Sequence, residues 1–235
     1  MVHNFWYAGR CCRDFGIYAS GQNTFNGPEK DYETQEIPGR NGALLISKNR
    51  YKNISVSYPA FIRSKFCANS DGARAWLLGT KGYQRLEDDY HPNTYRLAHF
   101  SGPIDFDMRF LNRSGEVELF FDCKPQRFLK SGEFPIKIQS GQSLYNAWQP
   151  ALPLIQITGT GDGQLVVGKS TVNITGMAGN LMLDSEVQNA YDGTTNKNNS
   201  ISISGGFPVL EHGESLISYG GGITAVNITP RWWML

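Results

Sequence analysis

The chain has 235 residues and nearly balanced charge, with 22 Lys and Arg against 21 Asp and Glu and a formal net charge of +1. This balance argues against a protein held to nucleic acid mainly by bulk charge, because phosphate binding requires clustered Lys and Arg. The charge is unevenly divided: residues 1–137 carry 19 basic and 15 acidic side chains, and the remainder carries 3 and 6. Length and asymmetry together favour two domains.

Membrane insertion, secretion and metal binding are all disfavoured by the sequence. The first residues lack an apolar segment of signal-peptide length, and no stretch approaches the roughly 20 apolar residues of a membrane span. The four cysteines fall at no metal-ligand spacing, and the adjacent Cys11 and Cys12 are poorly placed for a disulfide. We therefore expect a soluble protein made in a cytosol, with reduced thiols and no cofactor.

The N-terminal region predicts short strands followed by a projecting hairpin arm. Apolar residues broken by glycines favour one or two strands within residues 4–20, and residues 21–31 have turn chemistry. Residues 37–62 predict the arm, with an apolar run, a polar turn at 48–50 and a β-rich segment. An isolated hairpin is only marginally stable, so the arm needs a surface to lie on, in its own domain or in another copy of the chain. The predicted interface residues are Leu44, Leu45, Ile46, Lys48, Arg50, Tyr51, Ile54 and Val56.

One α-helix is predicted directly after the arm. Ser70 or Asp71 can cap its N-terminus, and apolar residues then recur at helical spacing up to Thr80. Gly82 stands where a left-handed C-terminal cap is required. A single amphipathic helix among strands usually packs across one face of a sheet, and we expect Trp76 to be its anchor.

Further strands are predicted on both sides of a linker. Between residues 83 and 121, alternation that is clearest at Ile104–Leu111 indicates a half-buried antiparallel sheet. A stretch rich in Pro and Gly predicts a linker at residues 131–140, between a domain at 1–130 and a second domain at 141–235. The second domain reads as short strands separated by glycine turns, which is typical of an antiparallel sandwich. Its predicted strands are residues 152–158, 164–167, 171–174, 180–184, 186–190, 200–204, 214–219 and 223–229, with turns that include Gly159–Gly163 and Gly220–Gly222.

Candidate chemistry is sparse. The nearest approach to a catalytic or metal-binding cluster is made by Glu87, Asp88, Asp89 and His91, with Asp105 and Asp107 farther along the chain. An acidic tripeptide before a turn is, however, far more often a solvated loop. The glycines at 159–163 lack both the spacing and the following helix of a phosphate loop. No nucleophile has a visible base and orienting partner. We therefore predict no catalytic residue, no cofactor-binding residue and no metal ligand.

The C-terminal pair Trp232 and Trp233 could stack on a sugar or close a hydrophobic core. Successive side chains of a strand point to opposite faces, so only one of the two can enter a core. Alternation through Val226 and Ile228 predicts that Trp232 is the buried member and that Trp233 faces outward. Together with Trp76, both tryptophans are predicted to be structural anchors.

Several strings, in a fixed order, resemble the distal tail proteins of long-tailed, non-contractile bacteriophages. The arm carries IPGRNGALLI, RYKN and SYPAFI, and the likeness covers the chain from about Phe5 to Leu235. The resemblance implies a first β-sandwich with one helix and a long hairpin, followed by a galectin-like antiparallel β-sandwich. The other matching strings are GYQRLEDDYHP, YRLAHFSGPIDF, FDCKPQRFL and ITPRWWML.

The resemblance also implies a structural role in the virion. In that family six copies form a ring at the distal end of the tail tube, open at its centre for DNA passage, after assembly in the host cytoplasm. The implied partners are the major tail tube protein, the tail-tip protein and receptor-binding or fibre proteins, with no membrane contact. Two alternatives stay open: a module that binds cell-wall polysaccharide, and a glycan hydrolase, which would need two carboxylates facing one cleft.

Overall fold

The computed structural model describes residues 3–20, 24–109 and 113–235, and strands predominate in them. The prediction of a mainly β chain with one α-helix is confirmed within these ranges. One compact unit extends to Arg127, and the other comprises Phe128–Met234. The limits of independently folding domains remain a prediction. The helix has 14 residues, and none of the described helices combines the length and apolarity that crossing a bilayer requires.

The first unit contains the helix, the N-terminal strands and the arm. A 3-10 turn at Cys12–Phe15 lies between its second and third strands. Its elements are β1 (Phe5–Tyr7), β2 (Arg10–Cys11), β3 (Ile17–Ala19), β4 (Lys30–Glu36), β5 (Ala43–Tyr51), β6 (Ile54–Ile62), α1 (Phe66–Gly79), β7 (Gln84–Asp88), β8 (Thr94–Phe100), β9 (Asp107–Arg109) and β10 (Ser114–Leu129), whose last two residues belong to the second unit.

The antiparallel sheet of the first unit curls until distant strands face each other. Its strand order is β2-β1-β7-β8-β10-β6-β3, and β9 pairs with β10. In a flat sheet, β1 and β6 would lie roughly 19 Å apart, because neighbouring strands are about 4.8 Å apart. The ring of Phe5 on β1 nevertheless stacks on the ring of Tyr58 on β6, with centroids 4.7 Å apart. The sheet therefore closes over its own core as a sandwich.

Aromatic side chains fill this core, and Trp76 lies at its centre. The indole is 5% exposed, stacks on Phe15 at 4.6 Å and donates from Nε1 to the carbonyl of Tyr7 at 3.2 Å. A buried indole N–H requires such an acceptor, so this hydrogen bond sets the rotation of α1 on the sheet. The helix is thus held to β1 through the residue that the sequence singled out.

The helix begins earlier than predicted. Its N-cap is Lys65 in the left-handed conformation, and Phe66 on the first turn is buried. Phe66 adds one more apolar position to the stripe, which outweighs the capping preference of Ser70. The Ser70 hydroxyl instead donates back to the carbonyl of Cys67 at 2.9 Å.

The helix also ends earlier than predicted. Thr80 is the C-cap in an extended conformation, and its hydroxyl donates to the carbonyl of Trp76 at 2.6 Å. This bond satisfies a carbonyl of the last turn, so the left-handed Gly82 is not needed as the cap. The predicted strand at Ile104–Leu111 is also shorter, because only β9 is present in its described part and Met108 is 58% exposed. Its remaining residues, 110 and 111, lie outside the described ranges.

The second unit is built on three long strands. Residues 131–140, predicted as a linker, instead hold part of a 3-10 turn at Lys130–Glu133 and a strand that joins the second sheet. Ile138 in that strand is buried in the core, so these residues are part of the fold. The strands of the unit are β11 (Ile136–Ile138), β12 (Gln142–Asn146), β13 (Leu154–Val167), β14 (Ser170–Asp184), β15 (Asn189–Asp192), β16 (Thr195–Asn196), β17 (Ile201–Ser204), β18 (Gly213–Thr229) and β19 (Trp233–Met234).

The two halves of β18 have different neighbours, as do those of β14, whereas β13 pairs with both of these strands along its whole length. One half of β18 pairs with β11 through Val226–Ile228, and the other pairs with β12 through Gly213–Ile217. One half of β14 likewise pairs with β15 and the other with β17. The long strands therefore pass from one sheet of a sandwich into the other, with the apolar core between them.

Glycines lie where the long strands pass from one sheet into the other, and the sequence analysis interpreted these glycines as turns. Gly159–Gly163 lies inside β13 and Gly220–Gly222 lies inside β18, where the register between the two strands shifts. The prediction of hairpin turns there was wrong, as was the division of these strands into shorter ones. The physical reason is close backbone approach: a Cβ on Gly159 would collide with the carbonyl of Gly222, and a Cβ on Gly222 with that of Thr160.

Gly222→Ala should therefore destabilise the second unit. Its Cβ has to displace a backbone carbonyl, which we expect to cost about 1–3 kcal/mol of the free energy of unfolding. Gly220→Ala is the matched control, since no atom lies within 4 Å of its added Cβ and its φ is not positive. Urea titrations of the two variants should show a loss for Gly222→Ala alone, and equal midpoints would contradict this account of the crossing.

Candidate functional site

The arm carries exposed apolar side chains of the first unit. It is formed by β4 and β5, which pair antiparallel from Lys30↔Tyr51 to Glu36↔Ala43 and are joined by residues 37–42. Leu44, Leu45 and Ile46 are 44%, 58% and 44% exposed. Three consecutive large apolar residues exposed at this level on a two-stranded ribbon are typical of a surface that another chain covers.

The two faces of the arm differ. On the charged face (Glu33, Leu44, Ile46 and Lys48), the Lys48 ammonium lies 3.8 Å from the Glu33 carboxylate. The opposite face, called the neutral face, is uncharged at Tyr32, Thr34, Leu45 and Ser47 and carries Glu36 beside the tip. Exposed ion pairs keep one face hydrated, so the neutral face is the better suited to contact another protein.

Arg50 joins the two strands of the arm at its base. Its Nε lies 2.7 Å from Oδ2 of Asp31, and this hydrogen bond holds the pKa of the Asp31 carboxyl below its ordinary value. Asp31 is mostly buried, so the pair fixes the start of β4 to the end of β5. The backbone N–H of Lys52 donates to the carbonyl of Glu29 at 2.8 Å and completes this closure.

The strand pairing of the arm differs from the prediction. Residues 48–50 do not form a turn but continue β5, and its partner is β4, whose sequence KDYETQE has almost no apolar signal. Ile54 and Val56, predicted at the interface, are buried in the first core, because β6 pairs with β3 and β10. Tyr51 is half-buried where the arm joins the sheet. The exposed members of the predicted set are thus Leu44, Leu45, Ile46, Lys48 and Arg50.

Two arginines hold the chain that leads into the arm, one buried and one half-buried. Arg96 on β8 donates from Nη2 to the carbonyl of Asn26 at 3.3 Å, and Arg127 on β10 donates from Nη2 to the carbonyl of Thr24 at 3.3 Å. Asn26 also donates from its side chain to the carbonyl of Ser55 at the start of β6. The chain that leads into the arm is therefore tied to three strands of the sheet.

The acidic tripeptide takes part in the same network and is not a solvated loop. Oδ2 of Asp88 accepts a hydrogen bond from the buried Tyr58 hydroxyl at 2.8 Å, and Oδ1 accepts from the N–H of His91 at 2.8 Å. The carboxylate of Asp89 accepts from the N–H of Asn4 at 2.9 Å, and Glu87 pairs with Arg85. The prediction of a hydrated acidic turn was wrong for Asp88, because it supplies acceptors to the buried side of β7 and lies among cations.

The charges around this network shift several pKa values. Burial lowers the pKa of Arg96 to about 10, which leaves it charged at neutral pH. Burial, followed by the nearby Arg127, lowers the pKa of His91 below its ordinary value. Nδ1 of His91 lies 3.3 Å from Nη1 of Arg127, so the neutral imidazole accepts a hydrogen bond there. Burial and the neighbouring Asp88 raise the pKa of Tyr58 well above its ordinary value.

Neither C-terminal tryptophan is fully buried. Trp232 and Trp233 are both half-buried and pack against the second core, and Nε1 of Trp233 donates to the carbonyl of Pro150 at 2.9 Å. The predicted division into one buried and one outward indole was wrong. The strand alternation is lost before them, because Arg231 has a positive φ of 57° and forms a bidentate ion pair with Asp184 at 2.7 and 3.0 Å.

Within residues 3–20, 24–109 and 113–235, no group of three or more His, Cys, Asp or Glu is placed to hold a metal ion.

His91 should make the first unit sensitive to mild acid. Its pKa is lowered in the folded state, so below about pH 6.5 the unfolded chain binds a proton that the folded chain does not, and the free energy of unfolding falls. Protonation would also place a donor against the Arg127 donor. Between pH 6.5 and pH 5 we expect His91→Gln to lose less of its free energy of unfolding than the wild type does. The control is the same change at an exposed histidine, His212→Gln, which should behave as the wild type. Parallel wild-type and His91→Gln profiles from denaturant titrations would contradict this assignment.

No protein-family model matches the chain, and no curated protein matches its sequence. Solved structures match it in fold. The Dit protein of phage SPP1, presented with its crystal structure as a paradigm of the hub adsorption apparatus in phages that infect Gram-positive bacteria, is 11% identical, with a TM-score of 0.78 over 100% of both chains. Chains of the activated phage P2 baseplate with Ca and with Sr are 9% and 10% identical, with TM-scores of 0.52 and 0.50 over 97% of each chain. The chain thus has the fold of SPP1 Dit along its whole length.

Proposed function

We propose that this protein is a structural component of a phage tail tip, a distal tail protein that serves as the hub of the adsorption apparatus. The observation that carries the proposal is the whole-chain agreement in fold with SPP1 Dit, at a TM-score of 0.78 with full coverage of both chains. Agreement over the full length of both chains is more specific than agreement in one common sandwich. The order of the quoted sequence strings supports the same assignment independently.

The hub forms a ring, with six copies as the family resemblance implies. A closed ring requires a heterologous contact, in which one surface of each copy meets a different surface of the next. The arm supplies one of these surfaces, with Leu45 on its neutral face at the contact and Leu44, Ile46, Lys48 and Arg50 on its charged face. The ring encloses a channel through which DNA passes, and it lies at the distal end of the tail tube in the virion after assembly in the host cytoplasm.

The partners of the ring are other tail proteins. On one side it meets the major tail tube protein, and on the other the tail-tip protein and the receptor-binding or fibre proteins. We propose no catalytic activity for the chain. In support, the carboxylates of Asp88 and Asp89 are engaged by Tyr58, His91 and Asn4 in structural hydrogen bonds.

A second candidate function is carbohydrate binding by the second unit. It is favoured by two exposed aromatic side chains, Tyr145 at 65% and Trp148 at 41%. Exposed aromatic rings can stack on sugar rings. Trp232 and Trp233, the tryptophans first considered for this role, are less suited, since both pack against the core. Binding of the purified chain to cell-wall polysaccharide that Trp148→Ala abolishes would support this candidate, and a glycan array without signal would overturn it.

Light scattering at several concentrations tests the ring. A mass of several chains that dissociates on dilution is expected, because assembly follows mass action, whereas a constant monomer mass would contradict the proposal.

Leu45→Glu should weaken the ring while leaving the chain folded. It places a charge on the neutral face of the arm, and we expect the concentration at half-assembly to rise at least about tenfold, because an unpaired charge in an apolar contact costs more than about 1.4 kcal/mol. Leu78→Glu is the matched control, since Leu78 lies on α1 and is 64% exposed. Equal midpoints of assembly for both variants would show that the arm is not part of the contact.

A further inference from the structure

The two arginines that hold the chain leading into the arm, Arg96 and Arg127, line a small cavity in the first unit. Its volume is about 10 Å³, and Asp88 and His91 line it as well, so it lies within the hydrogen-bond network described above. A cavity of this size has room for about one water molecule. A ligand in it is therefore either water or an ion of a single atom, because phosphate, sulfate and carboxylate groups are too large.

Two buried N–H groups of these arginines have no acceptor among the described residues. They are Nη1 of Arg96 and Nε of Arg127. Arg96 is 6% exposed, and its Nη2 is already used by the carbonyl of Asn26. The two Nη atoms of Arg127 are likewise used, by the ring of His91 and the carbonyl of Thr24. Buried donors in folded proteins almost always have an acceptor, so both groups point to a ligand that accepts hydrogen bonds.

The nearby carboxylate of Asp88 does not supply this acceptor. Its Oδ2 accepts from the Tyr58 hydroxyl and its Oδ1 from the N–H of His91, both at 2.8 Å. Neither oxygen forms a hydrogen bond or an ion pair with Arg96 or Arg127 within the described part of the chain. The acceptor sites of Asp88 are thus directed to other donors, and the two guanidinium groups remain incompletely satisfied.

The charge around the cavity favours an anion over a water molecule. Arg96 and Arg127 bring two positive charges and Asp88 brings one negative charge. Glu87, the other carboxylate in the lining, is paired with Arg85. The lining therefore has an excess of one positive charge, which is costly to remove from water unless a counter-ion accompanies it. A water molecule would accept from both donors but would leave this charge uncompensated.

We propose that the cavity binds one monatomic anion, chloride in ordinary solution, which accepts hydrogen bonds from Nη1 of Arg96 and Nε of Arg127. Hydrogen bonds between a guanidinium group and an anion are charge-assisted and strong. The anion completes the two side chains that hold the carbonyls of Asn26 and Thr24, and it thereby orders the chain that leads into the arm. The site goes beyond the proposed hub function and does not depend on it.

Bromide in crystals of the whole protein tests the site directly. Bromide has the charge of chloride and a similar size, and its anomalous scattering distinguishes it from water. We expect an anomalous peak within hydrogen-bonding reach of both Nη1 of Arg96 and Nε of Arg127. An ordered water molecule at this position, without an anomalous signal, overturns the proposal.

Hydrogen exchange of the full chain, followed by mass spectrometry of its peptides, supplies a measurement in solution. Sodium gluconate is replaced stepwise by sodium chloride at constant ionic strength, so that general screening does not change. A ligand that binds only the closed state slows local opening. We expect exchange in β8 and at residues 24–26 to slow at least about threefold and to saturate with chloride. Peptides of β13 and β14 in the second unit are the internal control and should not respond.

Arg127→Gln tests whether the response belongs to this site. It removes one positive charge and the Nε donor at a half-buried position, so the chloride-dependent slowing should be lost. Arg40→Gln, the same change at an exposed arginine between β4 and β5, is the matched control and should keep the full response. If Arg127→Gln does not fold, the bromide peak and the exchange of the wild type still decide the question.

Each remaining outcome also decides against or for the anion site. A bromide peak without slower exchange would be an adventitious ion only and would overturn the proposal. Slowing that Arg127→Gln retains, or that extends equally to the second unit, would do the same. None of these results bears on the hub assignment, which light scattering tests separately.

Discussion

Two arginines hold the chain that leads into the arm, the buried Arg96 and the half-buried Arg127, and the proposed assembly surface depends on them. Arg96 and Arg127 project from neighbouring strands, β8 and β10, to the carbonyls of Asn26 and Thr24. Removing guanidinium groups from water, even in part, is costly, and the cost is offset only where charge and hydrogen bonds are supplied together, here by Asp88 and by backbone carbonyls. A hairpin that leaves the sheet at a fixed angle is preorganised to meet a defined surface of another chain. A freely hinged hairpin would lose conformational entropy on binding.

The two faces of the arm meet two different requirements, hydration and availability for contact. Its charged face carries the Lys48–Glu33 pair and keeps the ribbon hydrated before assembly. Its neutral face leaves Leu45 available for contact. A two-stranded ribbon with apolar residues on both faces and no charges would pair edge to edge with any other strand, and the charges of the arm disfavour such pairing.

The sequence predicted those features that depend on local pattern. The β-rich composition, the single helix, its anchor Trp76 and the exposed run at Leu44–Ile46 all follow from periodicity and apolar content. The partner of each strand does not follow from periodicity or apolar content. β4 reads as polar loop, so β5 was paired with the wrong segment, and Ile54 and Val56 were placed outside a core that they help to fill. Asp88 was misread for a related reason, because nothing in an acidic tripeptide indicates that buried Tyr58 and His91 will converge on it from elsewhere in the chain.

The glycines were misread because a bend within a strand and a turn between strands use the same residue. Their actual position has a dynamic consequence. Since β13, β14 and β18 each contribute to both sheets of the second unit, neither sheet can open without breaking the strands of the other. The amides of the two sheets should then exchange with solvent hydrogen in one cooperative step and with similar protection, so that this unit behaves as a single foldon.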